Sequence, residues 1–199
     1  MKNIKKSWII IAVVVVLALI IYSSVKGTYN NMVTYSENIN GMWSQVTTDY
    51  QRRMDLIPNL VNTVKGYADF EQETLTAVVE ARAKATSVNV SADNLNPAMF
   101  EQFQAAQQGL SSSLSRLLVT VEKYPDLKAN QGFLDLQAQL EGTENRIANS
   151  RRKFNESTQI FNIYIKTFPK NIYANIFGFE TKAYFQATEG AEKAPEVKF

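Results

Sequence analysis

"RRMDLIPNLV", residues 52–61, sets two arginines, an aspartate and a proline inside a run that otherwise reads as amphipathic helix. Two readings compete for it. Either a long helix turns back on itself here, or the polar residues form a constellation with chemistry of its own. A corner accounts for each odd residue. Arg52 and Arg53 would occupy the last turn of a first helix, where cations suit the negative end of the dipole. Asp55 would cap a second helix, with Pro58 in its first turn, where a missing N–H costs nothing. As one helix the two segments would run to roughly 85 Å with a proline in mid-course. The sequence therefore predicts a hairpin corner. Its tip is a candidate partner-docking surface made of Arg52, Arg53, Asp55 and Asn59, with Pro125 and Asp126 from a second break.

Outward from this stretch, apolar residues recur at three- and four-residue spacing, the stripe of helices that share a core. Tyr29, Met32, Ile39, Trp43, Val46, Tyr50 and Met54 mark a first segment, and Leu60, Val64, Tyr67, Leu75 and Val78 a second. Phe100, Phe103, Leu110, Leu114, Leu117 and Val121 mark a third. Phe133, Leu136, Leu140, Ile147, Phe154, Phe161, Ile165 and Phe168 mark a fourth. Between them, "TSVNVSADNLNP" ends with Asn96 as a predicted cap and Pro97 in the first helical position. "KYPDLKANQG" is a further break. Short connections between long helices imply antiparallel neighbours. The expected fold is all-α, an N-terminal transmembrane helix followed by an antiparallel up-and-down four-helix bundle.

The anchor is written in "MKNIKKSWIIIAVVVVLALIIYSSVKG", residues 1–27. No charge occurs from Ser7 to Val25, a run of roughly 28 Å as helix, enough to cross a hydrocarbon core of about 30 Å. Trp8 and Tyr22 flank its apolar block, as residues of the headgroup boundary do. No small-x-small cleavage site follows at the right distance, so an uncleaved anchor is expected. Three lysines before the span and one after it favour a cytoplasmic N-terminus. The expected organisation is 1–26 as N-terminal tip and anchor, 27–186 as bundle and 187–199 as flexible tail, with a bacterial inner membrane as the location.

Composition narrows the chemistry. The 199 residues include no cysteine and no histidine, which removes disulfides, thiolate nucleophiles, histidine bases and most zinc or haem sites. Residues 1–26 hold four of the 21 basic residues and no acid, leaving 17 basic against 19 acidic residues in the remainder. A slightly acidic body is a poor match for nucleic acid. No cofactor, metal or catalytic residue is expected.

Two further stretches carry candidate sites. In "EGTENRIANSRRKFN", Glu144, Arg151 and Asn155 fall on one helical face. They are read either as a buried polar layer that fixes register or as solvated surface charge. In "FPKNIYANIFGFETKAYF", Pro169 stops the fourth helix. Ile172, Tyr173, Ile176, Phe177 and Phe179 then gather with lysines around them. They either close the open end of the bundle, touch the membrane interface, or meet another protomer.

"WSQVTTDYQRRMDLIPNLVNTVKGYADFEQETLTAVVEARAKA" and "LEGTENRIANSRRKFNESTQIFNIYIKTFPKNIYANIFGFETKAYF" resemble the LemA family, bacterial membrane-anchored helical proteins, over about residues 29–185. The resemblance implies an N-terminal transmembrane helix and a four-helix bundle, supplies no enzymatic activity, and hints at membrane organisation. The functional expectation is a membrane-anchored, self-associating, non-enzymatic scaffold. An adaptor or sensor subunit of a membrane protease or signalling complex is the alternative. The lipid bilayer, further copies of the chain and an unidentified membrane protein are the expected partners.

Overall fold

The computed structural model describes residues 6–67, 70–88, 90 and 95–186. The expected flexible tail and the first two lysines lie outside these residues. Six helices and no strand occur among them: α1 (Lys6–Lys65), α2 (Gln72–Ser87), α3 (Pro97–Val121), α4 (Pro125–Lys128), α5 (Gln131–Lys166) and α6 (Lys170–Phe177).

The corner expected at residues 52–58 does not exist. α1 is one helix of 60 residues that carries Pro58 in its interior, about 90 Å long at the usual rise. The stripe explains why. Ile39, Val46, Arg53 and Leu60 follow one another at seven-residue steps, as do Trp43, Tyr50, Ile57 and Val64, and all of them are buried. The pattern passes through the proline without a change of phase, so turning back there would strip half of it from the core. Pro58 removes the N–H that would have bonded the Met54 carbonyl, the usual reason a mid-helix proline is costly. That carbonyl instead accepts from Arg82 Nε of α2 at 3.0 Å. Asp55 caps nothing. It accepts from Gln51 Nε2, one turn earlier on the same helix, at 2.7 Å.

The chain turns only after Lys65, where Tyr67 N donates to Val64 O and Phe70 N to Tyr67 O. Because the turn comes late, α2 has only 16 residues, shorter than the segment expected for it. Elsewhere the local signals hold. Asn96 accepts from Met99 N with Pro97 behind it, and Asn130 caps α5 through Phe133 N. α4 is a single turn inside the second break, held by buried Leu127. α6 ends at Gly178, whose φ of 74° is the left-handed conformation that glycine adopts freely.

Cross-helix bonds give the directions. Asn31 pairs with Tyr164, Asn38 with Ser157 and Arg53 with Glu144, so α5 runs antiparallel to α1. α2 also runs back along α1, with Arg82 on Met54 O and Trp43 Nε1 on Val90 O. α3 then follows α1 in its own direction, as Phe100 and Phe103 on Trp43 give way to Gln107 and Ser111 on Arg53. Two hydrophobic clusters result. One holds Ile57, Leu60, Val64, Leu110, Leu117 and Leu127; the other holds Trp43, Phe100, Phe103, Phe154, Phe161 and Phe185. Residues 8–22 of α1 touch neither, and their large apolar side chains stand fully in the open. With the residues around it, this stretch gives α1 a segment long and apolar enough to cross a membrane.

Candidate functional site

The residues expected at one docking tip are dispersed. Arg52, Asp55 and Asn59 are exposed on the outer side of α1, and Arg52 and Asp55 share a shallow polar concavity with Thr47, Thr48 and Gln51. Asp126 lies on α4, beside the true turn, where its carbonyl accepts from the Tyr67 hydroxyl at 3.5 Å. The twelve residues from Arg53 to Lys65 put about 18 Å of helix between the two places. Arg53 itself points inward and is 2% exposed.

Arg53 is the centre of a polar layer. Its Nη1 donates to Ser111 Oγ at 2.8 Å and to Glu144 Oε2 at 2.9 Å, and its Nη2 to Gln107 Oε1 at 2.6 Å. The guanidinium carbon stands 5.1 Å from the centroid of the Tyr50 ring. Burial pushes the Tyr50 hydroxyl above its usual pKa of 10.0, against the opposing pull of Arg151 and Arg53. Glu144 remains 56% exposed, so the layer opens to solvent along one edge. On one side lie Met54, Ile57 and Leu140 of the first cluster; on the other lie Val46, Tyr50 and Ile147 of the second. The charge therefore sits at the seam between the two cores.

The expected stack of Glu144 with Arg151 and Asn155 does not form. The ion-pair partner of Glu144 is Arg53, and the other two hold a different structure. After Gly178 the chain runs extended, back along α5. Asn155 Nδ2 donates to Phe185 O at 3.0 Å while Phe185 N donates to Asn155 Oδ1 at 2.9 Å. Asn162 does the same with Lys182, at 2.9 Å each way. The spacing is a matter of geometry. Seven residues of helix rise about 10.5 Å, and three residues of extended chain about 10 Å. One amide per two turns thus meets every third residue of the segment. Arg151 Nη2 donates to Gln186 O at 3.0 Å, and its guanidinium lies 4.7 Å from the Phe185 ring centroid. Phe185 fills a pocket of rings, 4.7 Å from Phe100 and 5.4 Å from Phe154. Asn162 was missed as a site residue. The repeat "FN" at 154–155 and 161–162 was its signal, a polar residue riding one step behind each buried phenylalanine.

The aromatic C-terminal set divides in two. Tyr173 and Phe179 are half-buried against the second cluster. Phe177 meets the Tyr29 ring at 5.0 Å, and Phe179 meets it at 5.9 Å. Ile172 and Ile176 are exposed, and Phe168 just before them is exposed to 76%.

A family model described as "LemA family" matches residues 42–199. The chain belongs to the LemA family. The match begins on α1 beyond the apolar stretch, so it takes in the Arg53 layer, the asparagine-held segment and α6. Among LemA-family relatives, Protein LemA of Metamycoplasma hominis is 27% identical over 85% of this chain and 74% of its own length. Magnetosome protein MamQ 2 of Paramagnetospirillum magneticum is 28% identical over 79% of this chain and 64% of its own length. Magnetosome protein MamQ of Magnetospirillum gryphiswaldense is 27% identical over the same shares. The match thus spans a little under two thirds of the magnetosome proteins. None of these names is that of an enzyme. Among the described residues, no three acidic side chains gather as metal ligands would.

Proposed function

We propose that this chain is a single-pass, non-enzymatic membrane protein that presents an antiparallel up-and-down four-helix bundle, residues 27–186, as a scaffold on the bilayer. The observation that carries the reading is the continuity of α1. The helix that bears the exposed apolar block at residues 8–22 runs on without interruption into the core positions Met32, Ile39 and Trp43. No flexible linker separates anchor from body, so the output is placement. Anchoring confines the body to two dimensions and raises the local concentration of whatever it meets, including further copies. The lysine asymmetry around the span favours a cytoplasmic N-terminus with the bundle outside. The magnetosome names of two relatives fit a setting in which membrane is organised.

Gentle detergent extraction of the intact chain, with mass measurement of the particle, tests the scaffold. A multi-copy particle is the expected result; a lone protomer overturns it. A particle carrying one stoichiometric membrane protein would favour the adaptor reading. Its docking surface would be the exposed concavity of Thr48, Gln51, Arg52 and Asp55, with Arg53 excluded by burial.

A further inference from the structure

The two ends of the helical body differ in what they show to solvent. At the end remote from the apolar stretch, Phe70 and Leu127 are buried, and the exposed residues include Lys65, Glu122, Lys123, Asp126 and Lys128. At the opposite end several large apolar side chains face outward. Phe168 is exposed to 76% and Ile176 to 68%, with Ile163 and Ile172 beside them. Single exposed apolar residues such as Val119, 70% exposed toward the remote end, are ordinary on a protein surface, but a group of four at one end is not.

The orientation of this group follows from α6. The helix starts where α5 ends and finishes against Tyr29 of α1, so it crosses from one to the other at the foot of the body. Ala174 is buried on the body side. Ile172 and Ile176 stand two residues to either side of it, about 200° around the helix. They lie on the opposite face, away from the bundle, and Phe168, in the turn that leads into α6, is exposed as well. What lies there is fixed by α1. The centre of its apolar block is near Val15, and ten residues on, about 15 Å, reach the edge of a hydrocarbon core at Val25. Tyr29 then stands about 6 Å beyond that edge, within a headgroup layer of roughly 5–8 Å per leaflet.

We propose that Phe168 and the outer face of α6 form an interfacial foot, seated in the headgroup layer of the same bilayer that α1 crosses. The proposal rests on the reading of α1 as a membrane anchor. The charge suits it. Lys166, Lys170 and Lys182 lie on the same stretch of chain and Lys26 one turn before Tyr29 on α1, with Glu180 as the acid on that stretch, and such a balance favours anionic lipid. The body is held at two points, an anchor through the bilayer and a foot upon it.

The absence of cysteine makes the test direct. Four full-length variants, Val16→Cys, Val119→Cys, Ile172→Cys and Ile176→Cys, each carry one nitroxide. They are reconstituted in vesicles of phosphatidylcholine with phosphatidylglycerol, and collision with oxygen is compared with collision with an aqueous nickel chelate. Labels at 172 and 176 should show an oxygen-to-nickel ratio several-fold above that at 119 and well below that at 16, as a headgroup-layer position requires. A ratio at 172 and 176 equal to that at 119, with the label at 16 still in lipid, overturns the foot and leaves the anchor standing. A wet label at 16 removes the anchor reading and the foot with it. Spin–spin broadening at 176 that disappears on dilution with lipid identifies a second copy as the occupant and also overturns the proposal.

Discussion

The two hydrophobic clusters on either side of Arg53 are built from different side chains. The cluster toward the α1–α2 turn is mainly aliphatic, with leucine, isoleucine and valine from α1, α2, α3 and α5. The one toward the exposed apolar stretch is dominated by rings, with Trp43 within 6.0 Å of Phe100, Phe103, Phe154 and Phe185. Aliphatic side chains between helices need no polar partner, and helices satisfy their own backbone. The ring cluster admits two non-helical pieces, the stretch at Val90 and the segment 179–186. Their backbone groups cannot be buried unpaired. Trp43 Nε1 on Val90 O and the amides of Asn155 and Asn162 supply those partners. A core that takes in irregular chain must bring its hydrogen bonds with it.

The seam between the clusters offers the largest effect. Arg53→Ala leaves Gln107 buried without its partner and opens a cavity between the cores, and should cost about 3–5 kcal/mol. Urea denaturation in a Trp8→Phe background, followed by Trp43 fluorescence and by helical circular dichroism, would measure it. Separation of the two transitions would mean that the arginine also couples the halves, whereas a loss under about 1 kcal/mol would demote the layer to decoration. Next comes the ring cluster alone. Asn162→Ala removes both bonds to Lys182 and should cost about 1–3 kcal/mol. In hydrogen exchange the Lys182 and Phe185 amides should lose protection while amides of the aliphatic half keep theirs; uniform loss would show that the two regions are not distinct. The smallest effect lies in the aliphatic half. Arg82→Ala orphans the Met54 carbonyl and should cost about 1 kcal/mol. In a Pro58→Ala background that cost should shrink, because the substitution restores the backbone N–H that the carbonyl lacks. An unchanged cost in the double-mutant cycle would refute the compensation.

The same contrast explains what could be read in advance. The aliphatic half was legible because nearly all its buried side chains obey the helical period. Asn96 and Pro97 likewise announced α3 through local chemistry alone. Of the seam only Glu144 was expected in a polar layer; Arg53 and Gln107 were overlooked there because they are polar in apolar positions. Arg53 stands seven residues from both Val46 and Leu60. Gln107 falls in the step between Phe103 and Leu110, and both gaps in the stripe were visible. The proline outweighed the unbroken phase, since no local signal tells that Arg82, 28 residues beyond Met54, would reach the carbonyl. The extended segment leaves no period of its own. Its trace lies in α5, as asparagines behind Phe154 and Phe161, and only the first stands among the expected site residues.

The unbroken α1 has a mechanical consequence. With α1 crossing the bilayer as proposed, the part from near Val25 to Lys65 would be a lever arm of about 60 Å. A change of about 10° in anchor tilt, well within the range of single spans, would sweep its far tip by roughly 10 Å. Bilayer thickness and curvature, which set tilt, would then be felt at the α1–α2 turn as sideways displacement. A foot planted beside such a lever would act as its outrigger, converting a pivot into a stance.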